Sequence, residues 1–486
     1  MESENIITNA KLGSKALKAT KWAAVQNWGY RGFELLIFVV LARLLKPQTF
    51  GLIALCMVYV SFLQIFLEQG FAEAIIQRKE ITREFLVTAF WTNFSLAFIL
   101  GLLSVVAAPL VAIIFRETSL TPVIRGLAPL FIVRGLVSVQ MAILWRKMEF
   151  RTLAIASIIG VISGGIVGVI AALAGLGVWA LVLYQIITKI VESLVIWLKS
   201  NWRPTVAFSK QSLSHLLNFG FNVTGSRLAN FVNRYGADFV IGLFLGPVAV
   251  GYYYLAFRLT RTLVELTGSV VQKVSFSFFS RLQDDPETGR KAFLRIIEHI
   301  SFLASPLFLG LAVIAPELTR VLFGKQWLTA VPLMRVLALI GLLQSLYYIN
   351  TGVLLGYGKA RWRFFIDILN AIINLIVFFV AVHWGLFAVA LGYVLRGYLI
   401  APIPLLAVNK LLRSTIFQYI KRIASPVIAG VIMVLSIIAI QNGFDLAPMG
   451  LLLANITVGA LVYFVVVHFL SPGLTRRTYR YVFSNL

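Results

Sequence analysis

The feature that most constrains this chain is its run of apolar stretches, each about as long as a bilayer is thick. A helix needs roughly 20 mostly apolar residues to cross a hydrocarbon core about 30 Å thick. Such stretches can be placed near 21–42, 50–75, 85–107, 120–144, 153–174, 177–198, 213–243, 248–275, 293–322, 328–355, 362–383, 385–408, 420–441 and 446–470. Fourteen of them in 486 residues leave little chain for anything else. Only 13% of the residues are charged and 59% are hydrophobic, whereas soluble domains carry roughly 25% charged residues. The expected fold is therefore all-α and polytopic, with the lipid bilayer as solvent. The weakest division falls between the third and fourth stretches, where Pro109 and Pro122 interrupt the pattern.

The net charge of +24 would suit nucleic acid, but its distribution points to a membrane. Alternate loops collect the basic residues: Lys11 to Lys21, Arg78 to Arg83, Arg146 to Arg151, Lys199 to Lys210, Arg281 to Arg295, Lys359 to Arg363, Lys410 to Arg422 and Arg476 to Arg480. These hold 27 Lys and Arg, against 4 (Arg43, Lys46, Arg116, Lys325) in the loops between them. Solvated surface does not alternate in this way, whereas the positive-inside rule requires it. Both termini are thus expected on the cytoplasmic side, and no nucleic-acid partner is expected. Met1 to Thr20 is polar and basic, unlike a cleavable signal. One cysteine, Cys56, offers no disulfide framework. The outer loops, such as 44–49, 175–177 and 246–247, leave no room for an external domain.

The sequence also repeats itself. Leu45-Lys-Pro47-Gln-Thr-Phe-Gly51 returns as Leu245-Gly-Pro247-Val-Ala-Val-Gly251. Ala108-Pro109 returns as Ala315-Pro316, and the 175–181 segment returns at 385–391. Six spans per unit make the two copies parallel, related by an axis along the membrane normal. The expected organisation is a cytoplasmic N-terminal segment (1–20), an N-lobe of spans 1–6 (21–199), a linker (200–212), a C-lobe of spans 7–12 (213–408), spans 13 and 14 (409–470) and a cytoplasmic tail (471–486).

Twelve basic residues remain within or near spans: Arg31, Arg125, Arg134, Lys189, Arg227, Arg234, Arg258, Arg261, Lys273, Arg320, Arg335 and Arg396. A charge at membrane depth is expensive unless it faces water or a partner. Snorkelling or a local ion pair accounts most simply for Arg125, Lys189, Lys273, Arg320 and Arg396. In span 7, Arg227, Asn230, Arg234 and Asp238 are spaced 3, 4 and 4 apart and share one helical face. The repeat register matches them to Asn27, Tyr30, Glu34 and Phe38 of span 1, where Arg31 joins the stripe. Span 8 adds Arg258, Arg261 and Glu265, and span 2 adds Gln64 and Glu68. Local pairs such as Arg31–Glu34, Arg234–Asp238 and Arg261–Glu265 would neutralise part of this set. A basic surplus remains in spans 7 and 8, and a positive cavity in low dielectric suits an anion, with arginine matched to phosphate.

Trp22 to Leu55, with Arg31, Glu34 and the 41–51 stretch Leu-Ala-Arg-Leu-Leu-Lys-Pro-Gln-Thr-Phe-Gly, resembles the opening of Wzx-type polysaccharide flippases. These belong to the multidrug/oligosaccharidyl-lipid/polysaccharide exporter superfamily. Pro306, Pro316 and Phe323-Gly-Lys-Gln-Trp327 are similar to their ninth span and its exit, as is the turn Gly356-Tyr-Gly-Lys-Ala-Arg361. The resemblance lies nearest to colanic-acid and lipopolysaccharide exporters. It implies fourteen helices in two lobes, the bacterial inner membrane, alternating access, and an undecaprenyl-diphosphate-linked oligosaccharide moved to the periplasmic leaflet. It assigns substrate contacts to Arg31, Arg227, Arg234, Arg258 and Arg261. Asn27, Tyr30, Asn230 and Gln64 are the matching candidates for sugar hydrogen bonds. Glu34, Glu68, Asp238 and Glu265 are candidates for proton or sodium coupling. No other cofactor is expected; a polysaccharide polymerase or ligase is a partner implied by the family alone.

Two other readings compete. An ion-coupled drug/cation antiporter of the same superfamily would favour an acidic or apolar cavity. A membrane glycosyltransferase, polymerase or ligase would need acids or a domain on the outer face, and the outer loops are minimal. No catalytic residue is therefore assigned. No phosphate-binding Gly-x4-Gly-Lys-Ser/Thr loop occurs. The four histidines, His215, His299, His383 and His468, have no metal-ligand spacing. Asp284-Asp285 reads as solvated loop.

Overall fold

The computed structural model describes residues 22, 26, 28–67, 75–76, 78, 81–206, 209–444 and 446–474, with 210–224, 226 and 269–274 as backbone only. Asn27, Glu68, the basic N-terminal segment and the 476–480 cluster lie outside these residues, as does the side chain of Lys273.

All the regular structure described is helical. The elements in order are α1 (28–44), α2 (Pro47–Leu67), α3 (Arg83–Ile114), α4 (Leu120–Leu127), α5 (Pro129–Arg146), α6 (Phe150–Leu173) and α7 (Val178–Lys199). A helical run, Lys210–Phe279, breaks at Gly246 (φ 77°, ψ 179°) into α8 (210–245) and α9 (247–279). Then come α10 (Pro286–Leu318), α11 (Val331–Gly356), α12 (Ala360–Ala381), α13 (Leu386–Ile400), α14 (Pro402–Leu412), α15 (Ile416–Gly443) and α16 (Pro448–Leu470). Among the described residues, twelve segments are long and apolar enough to cross a membrane. One of them, Arg227–Gly268, contains both α8 and α9, and α1 is described only over 28–44. The sequence places two spans in the first of these stretches and one, 21–42, at the second.

Helix ends follow local chemistry. Thr82 accepts from Phe85 N at 3.2 Å, and Asp285 accepts from Thr288 N at 3.0 Å. Thr415 and Gln418 form a reciprocal capping box. Asp285 thus serves as an N-cap. The hydrogen bonds from Thr288 hold its carboxyl below the usual carboxylate range.

By contacts the chain divides into two compact units, 1–231 with 246–251, and 232–245 with 252–486. In the first unit, Gly160, Gly164 and Gly168 form a small-residue stripe on α6. A methyl at Gly160 would come within 2.7 Å of the Thr188 carbonyl of α7, and one at Gly168 within 2.9 Å of Tyr184 Cβ. Such stripes let backbones approach where lipid removes the hydrophobic drive between helices. The division between α3 and α5 is resolved differently from the sequence pattern. The α3 helix runs through Pro109 to Ile114. A proline there cannot donate to the carbonyl four residues back, and Arg125 Nε donates to that carbonyl, Val105 O, at 3.3 Å.

The repeated Pro-x-x-x-Gly segments meet within the first unit. A methyl on Gly51 would collide with the Pro247 carbonyl oxygen and lie 2.5 Å from its carbon and 3.1 Å from Gly251 N. A methyl on Gly251 would collide with the Pro47 carbonyl oxygen and lie 2.7 Å from its carbon and 3.3 Å from Gly51 N. The two copies clasp each other backbone to backbone, in a nearly two-fold arrangement that only glycine at both positions allows.

In the second unit α10 carries Pro306 inside its length. The carbonyl that this proline leaves unpaired, Phe302 O, accepts from the buried Tyr463 hydroxyl of α16 at 2.7 Å. Tyr463, Met433 and Ile437 then pack with Phe302 and Val313, fastening α15 and α16 to α10.

Candidate functional site

The residues singled out on α8 and α9 lie well inside the helices. Counting from the break at Gly246 at about 1.5 Å per residue, Asp238 is about 12 Å along α8 and Arg234 about 18 Å. On α9, Arg258 is about 18 Å and Arg261 about 23 Å from the same point. Against a core about 30 Å thick these are mid-membrane positions. Arg227 is about 28 Å from the break, towards the other boundary.

In the first unit, Tyr30, Arg31 and Glu34 on α1 and Gln64 on α2 are partly buried, as is Arg227; Asn230 is exposed. In the second, Arg234 is exposed and lies 5.3 Å from the Tyr235 ring centroid. Asp238 is 6% exposed, and its Oδ1 has no hydrogen-bond partner. The expected Arg234–Asp238 ion pair does not form. The expected Arg261–Glu265 pair does form, at 2.8 Å. Arg258 donates to the Tyr254 hydroxyl at 2.7 Å.

The structure adds residues that sequence reasoning passed over. On α12, Arg363, Asp367, Asn370 and Asn374 are spaced 4, 3 and 4 apart, the same one-face pattern that marked α8. Arg363 Nε pairs with Asp367 Oδ2 at 2.6 Å, its NH1 group donates to Thr351, and its guanidinium lies 5.5 Å from the Tyr347 ring centroid. Asn374 Nδ2 donates to Asn233 Oδ1 at 2.7 Å, and Asn233 Nδ2 donates to the Asp367 carbonyl at 3.2 Å. Arg396 of α13 donates to Asn370 Oδ1 at 2.8 Å and also to Asn374 Oδ1. Gln344 Nε2 of α11 donates to the Tyr393 hydroxyl at 2.8 Å. The stripe on α12 was readable, since its periodicity is plain. Asn233 was not, because it stands one residue off the α8 stripe and faces α12 instead.

Of the five basic residues read as snorkelling or locally paired, Lys189 pairs with Glu192 at 2.6 Å, Arg125 serves Val105, and Arg320 is exposed. Arg396 departs from that reading, being held between asparagines with no carboxylate. Among the described residues no cluster of three His, Cys, Asp or Glu could hold a metal ion.

The family model described as "Polysaccharide biosynthesis protein" matches residues 40–332. The chain belongs to that polysaccharide biosynthesis protein family. The chain is similar to the teichuronic acid biosynthesis protein TuaB of Bacillus subtilis, 27% identical over 416 residues, covering 84% of this chain and 85% of TuaB. The lipopolysaccharide biosynthesis protein WzxC of Escherichia coli is 27% identical over 340 residues, covering 69% and 68%. Among solved structures, the lipid II flippase MurJ in an inward closed conformation superposes with a TM-score of 0.78 over 93% of this chain and 99% of MurJ, at 16% identity. The likeness to MurJ is one of fold. The spanning helices make this polysaccharide biosynthesis family member a multi-pass membrane protein, and the family match together with TuaB and WzxC bears out the Wzx-type resemblance read from the sequence.

Proposed function

We propose that the protein is a flippase for undecaprenyl-diphosphate-linked oligosaccharide, moving it from the cytoplasmic to the periplasmic leaflet of the bacterial inner membrane, with both termini cytoplasmic. One observation carries this reading. Among the described residues of α8, α9 and α13 in the second unit, four arginines, Arg234, Arg258, Arg261 and Arg396, stand at membrane depth against two acids, Asp238 and Glu265, while Arg363 and Asp367 of α12 neutralise each other. Such a surplus in low dielectric favours an anion. Guanidinium forks suit a diphosphate, whose oxygens accept parallel hydrogen bonds. The lipid tail stays in the bilayer while headgroup and sugars use the polar residues. The names of TuaB and WzxC, both polysaccharide biosynthesis proteins, agree with this cargo.

The same surplus disfavours an exporter of cationic drugs. With the cell interior negative, outward movement of anionic cargo gains about 2.3 kcal/mol per charge per 100 mV. Proton coupling fits Asp238 best, because one of its buried oxygens has no partner. The test is reconstitution in liposomes with a fluorescent undecaprenyl-diphosphate oligosaccharide, following headgroups that reach the far leaflet. Movement well above that in empty liposomes supports the proposal. Correctly folded protein that moves no cargo, with an imposed potential and proton gradient, overturns it.

A further inference from the structure

Arg396 raises a physical question that its hydrogen bonds alone do not answer. It sits about 15 Å into α13 from Leu386, near the middle of a hydrocarbon core. Its guanidinium is half-buried. Its partners are neutral: Asn370 Oδ1, Asn374 Oδ1 and the Tyr393 ring at 5.3 Å. Among the described residues it has no acidic partner, and its Nε has no acceptor. The nearby acid on the same network, Asp367, is already held by Arg363 at 2.6 Å.

A neutral donor, such as a glutamine amide, could serve an asparagine oxygen without the desolvation cost of a cation. A charge kept at this depth generally marks a substrate or ion path. The surroundings of Arg396 point the same way. The Tyr393 ring, 5.3 Å from Arg396, lies 6.1 Å from the ring of Phe257, the residue before Arg258 on α9. Arg396 is therefore linked through one ring to the helix that carries Arg258 and Arg261. Through Asn374 it also reaches Asn233, the residue before Arg234 on α8. One side chain thus contributes positive charge to the site and fixes the helix that carries Arg234 and Asp238.

We infer that Arg396 is a further functional residue of the anion site: its charge helps to hold the diphosphate, and its clamp on Asn370 and Asn374 positions α8 through Asn233. This deepens the flippase reading and rests on it. The two roles separate by substitution. Arg396→Gln removes the charge and keeps an amide donor. Arg396→Lys keeps the charge and loses the fork that spans two asparagines. Asn374→Ala keeps Arg396 and cuts the link to Asn233.

The test uses the purified full chain with inorganic pyrophosphate as probe, binding being measured by calorimetry and folding by thermal melting. The liposome assay supplies the apparent KM and maximal rate for the lipid-linked cargo. Arg396→Gln is expected to weaken pyrophosphate binding and raise the apparent KM at least tenfold. Arg396→Lys should remain within about threefold of wild type in binding. Asn374→Ala should lower the maximal rate with less than a threefold change in binding. Arg43→Gln, outside the site, should change neither.

Wild-type binding that is unchanged in a folded Arg396→Gln overturns the charge role while leaving the flippase reading in place. If Arg396→Gln does not fold, Arg396→Lys decides: binding weakened tenfold or more overturns the charge role. A maximal rate unchanged in Asn374→Ala overturns the positioning role. A wild-type protein that binds no pyrophosphate and moves no cargo overturns the flippase reading, and this inference with it.

Discussion

Replacing Gly51 by alanine tests the clasp between the two repeated segments, and the sign of its effect is the informative part. Gly51 is inside α2, where glycine costs about 1 kcal/mol relative to alanine in helix propensity. Were the position open, Gly51→Ala would stabilise by up to that amount. The structure puts the new methyl 2.5 Å from the Pro247 carbonyl carbon, with the carbonyl oxygen nearer still, whereas ordinary contact begins at 3.4 Å. Backbone cannot rotate out of the way as a side chain can. The two helix starts must therefore part by about 1 Å or more, and overpacking of this kind costs about 1–3 kcal/mol. The net expectation is destabilisation by about 0–2 kcal/mol once the propensity gain is subtracted. Gly310→Ala in α10 is the control, since its methyl would meet only Met433 Cε at 3.7 Å. Melting in detergent, followed by intrinsic fluorescence, should show Gly51→Ala below wild type and Gly310→Ala at or above it. Gly251→Ala should behave as Gly51→Ala does, and the double variant should lose less than the sum, because both methyls open one contact. A Gly51→Ala protein that melts above wild type would refute the clasp.

Three further outcomes are expected. Tyr463→Phe should destabilise by about 1–3 kcal/mol, since it strands a buried carbonyl, and the loss should largely vanish beside Pro306→Ala, which restores a backbone donor to Phe302; equal losses in both backgrounds would contradict the carbonyl role. Arg125→Met should cost about 0.5–1.5 kcal/mol by the same logic at a more exposed place, and Pro109→Ala should rescue it; melting of the two variants and their combination checks this. Asp238→Asn should leave binding of cargo measurable while removing the response of transport to an imposed proton gradient; an unchanged response would exclude Asp238 as the proton carrier.

The helices were legible in the sequence because hydrocarbon thickness sets a length that polar residues interrupt visibly. Positions that looked like boundaries were harder. Pro109 reads as a break, yet α3 passes through it because Arg125, sixteen residues on, supplies the missing donor. That compensation is tertiary and leaves no periodic trace. The polar stripes on α8 and α9 were visible as spacings, but their partners were not. Arg261 and Glu265 pair as neighbours on a helix can, while Arg234 and Asp238, equally spaced, do not. Arg396 looked like a snorkelling residue because one dimension cannot show that Asn370 and Asn374 face it. The repeat at 47–51 and 247–251 was seen as a resemblance; that its two copies touch each other is a fact of three dimensions.

The central claim is that arginines at membrane depth carry an anionic lipid-linked sugar across the bilayer. Its most direct test is the liposome assay run in parallel on wild type, Arg234→Gln and Arg258→Gln, each matched for folding by melting and for protein per vesicle. The account predicts transport by wild type and a loss of at least tenfold in each variant at cargo concentrations below saturation. Both variants moving cargo at the wild-type rate would contradict it.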